Sequence, residues 1–115
     1  MVEISARLNP GESLGDRIIK VDHAGEHGAV NIYAVQLLIA RMLWPQLVEE
    51  LREFKAHEEH HRTLFETELV RRKARRCRSY HLCGLGGFAL GAVTGLLGPT
   101  SIAATTVAVE RVVLR

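Results

Sequence analysis

Apolar side chains recur every three or four residues along two long stretches of the chain, a spacing that places them on one face of an α-helix. In the first stretch these residues are Ile19, Ala29, Tyr33, Leu37 and Ala40. In the second they are Leu47, Leu51, Phe54, Phe65 and Leu69. The pattern predicts two helices, at about 13–43 and about 46–73, each with one face turned towards a core.

Capping and breaking residues mark the ends of the first helix. Ser13 is a good N-cap, and Asp16 stands three residues later, where an acidic side chain can complete a capping box. Trp44 precedes Pro45, and the residue before a proline is disfavoured in helical geometry. Because the connection to the second helix is short, we expect the two helices to be antiparallel neighbours.

Polar residues interrupt both apolar faces at one level of this hairpin. Continuing the helical count from Phe54 leads to Glu58 and His61, and the count along the first helix leads to Asp22 and Glu26. Glu26 precedes the turn, and Glu58 and His61 follow it, by similar numbers of residues. The hairpin should therefore bring these side chains together at the same height.

A buried, unpaired carboxylate costs several kcal/mol, so these acids require a cation, a proton or a metal ion. Glu58 and His61 form a Glu-x-x-His pair, which is half of the ligand pattern of carboxylate-bridged di-iron bundles. We favour a metal site over the alternatives, in which Glu26 is an exposed helical acid and His61 a surface or hydrogen-bonded histidine. Four other histidines lie off the apolar faces and are expected to support the ligands or face solvent: His23, His27, His57 and His60.

Glycines predict close helix contacts. Gly25 and Gly28 lie inside the first helix, where glycine costs about 1 kcal/mol relative to alanine, so a neighbouring backbone is expected to come close. A further stripe of glycines recurs every fourth residue, at Gly87, Gly91 and Gly95, and permits close packing of another helix.

The last third of the chain is apolar. The 28 residues from 82 to 109 carry no charge, and Gly98-Pro99 divides them into two predicted helices, at about 82–98 and about 100–113. The first of these is borderline in length for a membrane span, and no span is predicted. Six of the eight residues 71–78 are basic. A basic cluster beside a glycine-rich apolar helix favours an element on an anionic membrane surface over an ordinary buried helix.

Composition fits one all-α domain over residues 1–115, with 47% hydrophobic and 5% aromatic residues. Nucleic-acid binding is not expected, because the basic cluster lacks interleaved aromatic residues. Cys77 and Cys83 do not suit a zinc site or a disulfide framework, which indicates a reducing compartment. The N-terminus resembles neither a signal peptide nor a transit peptide, which favours a bacterial origin. No nicotinamide or flavin fingerprint is present in the sequence.

Three segments together resemble the demethoxyubiquinone hydroxylase family of ubiquinone biosynthesis. They are 21–34, with Asp22-His23-Ala24-Gly25-Glu26, the pair Glu58-x-x-His61, and the apolar segment from Gly87 to Glu110. The resemblance runs from about Leu14 to Glu110 without a large insertion. It implies a ferritin-like bundle of antiparallel helices that uses two iron ions and O2 to hydroxylate a demethoxyubiquinol, a prenylated benzoquinol.

The resemblance also implies a location, partners and a ligand set. The location would be peripheral, on the cytoplasmic face of the bacterial inner membrane or the matrix face of the mitochondrial inner membrane. The partners would be the prenylated quinol, O2, the membrane surface, and a second copy or a lipid-binding accessory protein. The metal ligands would be Glu26, Glu58, His61 and Glu110, with no catalytic residue beyond them. From the residues alone, Glu110 is either part of a frayed helix end or a ligand.

The sequence departs from the family's ligand pattern in one respect. Such bundles take single glutamates from two helices and a Glu-x-x-His pair from each of two others, whereas this sequence contains one pair. Three explanations stand side by side: a hydroxylase truncated at its C-terminus, a dimer that rebuilds a six-ligand site, and a non-catalytic iron-binding relative.

Overall fold

The described part of the chain folds into a bundle of four α-helices, as the sequence predicts. The structure, a computed structural model, describes residues 10–113. Its helices are α1 (Leu14–Leu43), α2 (Val48–Arg71), α3 (Tyr80–Leu97) and α4 (Pro99–Val113). A short 3-10 turn, Pro45–Leu47, joins α1 to α2.

Local sequence signals determine where α1 begins and where the hairpin turns. The Ser13 hydroxyl accepts a hydrogen bond from the Asp16 amide at 3.0 Å, and the Asp16 carboxylate accepts one from the Ser13 amide at 3.2 Å. The predicted capping box is therefore present. Beyond Trp44 the proline begins the tighter turn, so α2 begins at Val48, and it ends before Lys73, whose φ of 56° is left-handed.

The two long helices are antiparallel, and α3 is parallel to α1. Arg72, just past the end of α2, forms an ion pair at 3.2 Å with Asp16 at the start of α1. Along α3, successive glycines meet successive residues of α1: Gly87 lies on Gly28, and Gly91 lies on Ile32. α4 turns back at Gly98 and runs antiparallel to α1. α1 therefore has α2 and α3 on two sides and touches α4 near its C-terminal half.

Close backbone contact joins α1 and α3. A Cβ atom at Gly87 would overlap the backbone of Gly28, and one at Gly91 would lie 2.6 Å from the carbonyl oxygen of Ile32. Neither position has room for a side chain. This confirms the prediction that the glycine stripe and Gly28 permit close packing of two helices. The prediction for Gly25 was wrong, because Gly25 is exposed and a Cβ there would meet no atom within 4 Å.

A hydrophobic core occupies the end of the bundle near the α1–α2 turn. Its buried residues come from α1, α2 and α4: Tyr33, Leu37, Ala40, Leu51 and Ile102. Two side-chain hydrogen bonds hold α3 to the same end. Gln36 Nε2 donates to Thr94 Oγ1 at 2.7 Å, and Trp44 Nε1 donates to the Gly95 carbonyl at 2.9 Å.

The face of α3 that points away from α1 is apolar and exposed. Its side chains include Leu82, Leu85, Phe88, Val93, Leu96 and Leu97, each more than half exposed. Tyr80–Leu97 has a mean hydropathy of 1.4 and is long enough to cross a membrane, although core helices of soluble proteins meet the same two criteria.

Candidate metal centre

Glu58 lies at the centre of a buried acidic cluster. The helical repeat of α2 places Glu58 on the face that also carries Leu51, and its side chain is completely buried. Neither carboxylate oxygen has a hydrogen-bond partner within the described part of the chain. Because an unsatisfied buried carboxylate is costly, this group requires a ligand or a proton.

Glu26 extends the cluster from α1. It is 3% exposed, and its Oε2 atom also lacks a hydrogen-bond partner among residues 10–113. Burial, together with the neighbouring Glu58 carboxyl and the Glu110 carboxyl, raises the pKa of Glu26 to about 9. Without metal, the cluster therefore retains a proton at neutral pH, and a bound cation would have to displace it.

His61 faces both acids. Its Nδ1 atom lies 3.9 Å from Glu26 Oε1 and 3.9 Å from Glu58 Oε1, and its side chain is 30% exposed. The hairpin thus brings together the three side chains that the two helical counts had placed at one height. Asp22, which the count along α1 also placed on this face, is exposed.

Glu110 enters from α4. Its Oε1 atom accepts a hydrogen bond from the Tyr33 hydroxyl at 3.1 Å. Burial and the Glu110 carboxyl raise the pKa of Tyr33 above its ordinary value, so the phenol stays protonated and acts as a donor. The sequence pattern identified Tyr33 only as part of the apolar face of the first helix. Nothing in the sequence pattern reveals this contact between residues 77 positions apart.

Two of the remaining histidines lie between α1 and α3. His23 is completely buried, rather than solvent-facing, and stacks on Tyr80 with ring centroids 4.8 Å apart. His27 stacks on the same ring at 4.0 Å, and its Nδ1 accepts a hydrogen bond from Arg62 at 2.9 Å. Burial lowers the pKa of both imidazoles. These two residues pack α3, beginning at Tyr80, against α1.

The other two histidines are on α2 and exposed. His60 lies on the outer side of the helix, whereas His57 Nδ1 is 3.3 Å from Glu58 Oε1. One nitrogen or oxygen atom from each of His57, Glu58 and His61 lies within 4.8 Å of the other two, close enough to hold one metal ion. His57 is thus nearer to the acidic cluster than its position off the apolar face suggested.

The acidic cluster fits a metal ion on two physical grounds. Within residues 10–113 neither Glu26 nor Glu58 forms an ion pair with a lysine or arginine, so no protein cation compensates them. The donor set of carboxylates and one or two imidazoles suits iron and other divalent first-row metals. The unpartnered oxygens of Glu58 are where such an ion would bind.

We predict that the metal-free protein becomes less stable as the pH rises. The pKa of Glu26 is near 4.5 in the unfolded chain and about 9 in the fold. Below pH 4.5 the Glu26 carboxyl is protonated in both the folded and the unfolded state, and the protein is most stable. Between pH 4.5 and about 9 the carboxyl ionises in the unfolded chain but not in the fold, so the free energy of unfolding falls as the pH rises. Urea unfolding with a chelator, between about pH 5 and about pH 9, measures this loss. Glu26→Gln should flatten the profile, and an unchanged slope in that variant would contradict the assignment.

Comparisons with known proteins identify the family of this chain. The family model described as Ubiquinone biosynthesis protein COQ7 matches residues 13–115. A 3-demethoxyubiquinol 3-hydroxylase from Rhodospirillum rubrum is 42% identical over 101 residues, which are 88% of this chain and 47% of that protein. The mitochondrial 5-demethoxyubiquinone hydroxylase of Saccharomyces cerevisiae is 39% identical over 98 residues, 85% of this chain and 42% of that protein.

A human relative shows the same proportions. The mitochondrial NADPH-dependent 3-demethoxyubiquinone 3-hydroxylase of Homo sapiens is 41% identical over 96 residues, covering 83% of this chain and 43% of that protein. The chain therefore spans about half the length of the curated relatives that it matches. Since the family model covers all four described helices, the chain belongs to the COQ7 family of ubiquinone biosynthesis proteins.

Proposed function

We propose that Glu26, Glu58, His61 and Glu110 hold iron, and that the protein uses it with O2 to hydroxylate the ring of a demethoxyubiquinol. The observation that carries this proposal is the pair of buried glutamates on facing helices of a COQ7-family bundle, neither of which forms an ion pair with a lysine or arginine of residues 10–113. The names of the relatives, demethoxyubiquinol and demethoxyubiquinone hydroxylases, supply the substrate class. The carboxylate-rich ligand set agrees with iron.

Each residue has a distinct role in this proposal. Both Glu58 oxygens lack a hydrogen-bond partner within residues 10–113, so this carboxylate would be the ligand shared by two metal ions. Tyr33 holds the Glu110 carboxylate by its hydrogen bond and fixes the direction of that ligand. Iron held there would supply electrons for the activation of O2, and a reductant outside this chain would return them. The protein residues hold the ligands in place, exclude water and present the substrate.

A groove beside the site could receive the substrate. Leu51, Phe54, Ile102 and Thr106 line it between α2 and α4. Phe54 stacks on Tyr33 with centroids 5.8 Å apart, so the groove adjoins the Tyr33–Glu110 pair. A planar quinol ring and an apolar prenyl tail match these side chains.

The exposed apolar face of α3 supports a membrane location. A surface of leucines and Phe88 beside the basic residues 71–78 combines apolar insertion with attraction to anionic lipid headgroups. We propose peripheral attachment at the cytoplasmic face of a bacterial inner membrane or the matrix face of a mitochondrial one, where the prenylated quinol is dissolved. "Mitochondrial" appears in the names of the yeast and human relatives.

The alternative function is iron binding without catalysis in an assembly of two copies. The single Glu-x-x-His pair favours it, because two copies would contribute the two pairs of the di-iron pattern. In that assembly Glu26, Glu58 and His61 of both copies would form the site, and Glu110 would be dispensable.

Anaerobic Fe(II) titration, with the solution mass measured in the same sample, distinguishes these functions. For the hydroxylase we expect Glu110→Gln to lower iron binding, and the iron-loaded protein with O2 and a reductant to add one oxygen to a demethoxyubiquinol, detected by mass spectrometry. The conservative Glu49→Gln, an exposed change on α2, serves as the control. Undiminished iron binding in Glu110→Gln, together with no product, would refute the hydroxylase proposal in favour of the two-copy site.

A further inference from the structure

His57 and His61 are four residues apart on α2 and project from the same side of the helix. Their ring centroids are 4.2 Å apart. With Glu58 between them, the sequence His57-Glu58-Glu59-His60-His61 has the His-Glu-x-x-His spacing by which a single helix presents two imidazoles to one zinc ion. The iron site proposed above uses His61 and Glu58 but gives no role to His57.

The distances among the three groups suit a common metal ion. Glu58 Oε1 lies 3.3 Å from His57 Nδ1 and 3.9 Å from His61 Nδ1. Ligand atoms about 2.0–2.2 Å from one tetrahedral ion are about 3.4 Å apart, so only small side-chain rotations are required. In zinc peptidases the glutamate of this motif is a base outside the coordination sphere. Here it lies between the two imidazoles and is itself a donor.

The cluster is buried on one side and open on the other. Glu58 is completely buried with both oxygens unpartnered among the described residues, whereas the His57 side chain is 54% exposed. An ion held here would contact protein on its inner side and water on its outer side. Three protein ligands and one open position form the usual arrangement of an accessible zinc site.

We propose that His57, Glu58 and His61 form a second metal-binding mode, which takes one borderline divalent first-row ion and can be probed with Zn²⁺ and Co²⁺. Two imidazoles and a single carboxylate favour these ions over harder ones. This mode requires neither Glu110 nor Tyr33. It shares Glu58 and His61 with the proposed iron site, so the two modes are mutually exclusive, and zinc bound at His57 would block iron loading.

Titration of the metal-free protein with Zn²⁺ by calorimetry, and with Co²⁺ by visible absorption, tests the proposal. We expect His57→Gln to weaken Zn²⁺ binding at least about 10-fold and to change the Co²⁺ spectrum, because a direct ligand is lost. His60→Gln changes an exposed histidine of the same helix that lies outside the group of three donors, so this matched control should bind Zn²⁺ like the unmodified chain.

Glu110→Gln separates this inference from the proposed function. The Co²⁺ spectrum and the Zn²⁺ affinity should stay unchanged in that variant, even where its iron binding falls. Equal zinc affinities in His57→Gln and His60→Gln, or a loss in Glu110→Gln as large as that in His57→Gln, would overturn the three-residue site. Neither result depends on whether the iron-loaded protein hydroxylates a quinol.

Discussion

Replacing Glu58 with methionine is expected to abolish iron binding while making the metal-free protein more stable. Glu58 Oε1 lies 3.3 Å from His57 Nδ1 and 3.9 Å from His61 Nδ1, and the Glu58 carboxyl helps to raise the pKa of Glu26, so Glu58 is the central acid of the cluster. Replacing a residue that only hydrogen-bonds to a metal ligand weakens metal binding by up to about 100-fold. Loss of Glu58, a direct ligand, should therefore weaken it at least about 100-fold.

The gain in stability has a separate cause. The Glu58 carboxylate is completely buried and unpartnered within residues 10–113. Methionine has a similar shape without the polar atoms, so the free energy of unfolding should rise by about 1–3 kcal/mol. Urea unfolding in chelator and an Fe(II) titration measure the two effects on the same sample.

An exposed glutamate on the same helix provides the control for both measurements. Glu53→Met changes the same chemical group on α2 at an exposed position, and it should leave iron binding intact and stability nearly unchanged. Full iron binding in Glu58→Met would disprove the ligand assignment. A metal-free variant less stable than the parent would instead show that the carboxylate has a structural partner.

Replacing Gly87 with alanine should cause the largest loss of stability among small substitutions in the bundle. The new methyl group would overlap the Gly28 backbone, which cannot rotate away as a side chain would. α3 must therefore move off α1, which also strains the nearby contact of Gly91 with Ile32. We expect the free energy of unfolding to fall by about 1–3 kcal/mol or more, a large fraction of the stability of a small domain.

The adjacent glycine offers a matched control. A Cβ at Gly86 would meet no atom within 4 Å, so Gly86→Ala only replaces glycine by a better helix former. It should raise stability by up to about 1 kcal/mol. The melting temperature and the free energy of unfolding in urea should therefore fall in Gly87→Ala and rise in Gly86→Ala. Equal effects of the two substitutions would show that α1 and α3 are not in close contact.

Helical periodicity was sufficient to predict that Glu26, Glu58 and His61 lie close together. Counting by threes and fours placed Glu58 and His61 on the inner face of α2, and the symmetry of a hairpin about its turn placed Glu26 opposite them. Both arguments depend only on helix geometry and on a short connection, and both properties can be read from one sequence.

The same count failed where a third helix changes which face is buried. α1 is covered on two sides, so its inner surface is wider than one apolar stripe, and His23 is buried against Tyr80 while Asp22 is exposed. The position of Tyr80 depends on the connection after α2, which has no periodicity to interpret. Gly25 and Gly28 look alike in sequence, and only the path of α3 distinguishes them.

The role of Glu110 was not predictable from local pattern. A lone acid near the end of an apolar helix fits either an exposed end or a ligand, and only the resemblance to a family favours the ligand. Its hydrogen bond with Tyr33 joins residues far apart in sequence. Contacts of this kind depend on how whole helices pack, and a helical repeat contains no information about them.

The parallel arrangement of α1 and α3 has a consequence for the order of assembly. α1 and α2 meet through a three-residue turn, so their contacts close a short loop and should form early, whereas α3 must return along the length of α2 before it can pack on α1. Glu26, Glu58 and His61 all belong to the early hairpin. We therefore expect metal to bind a hairpin intermediate, and metal supply during synthesis to influence how quickly the chain reaches its final fold.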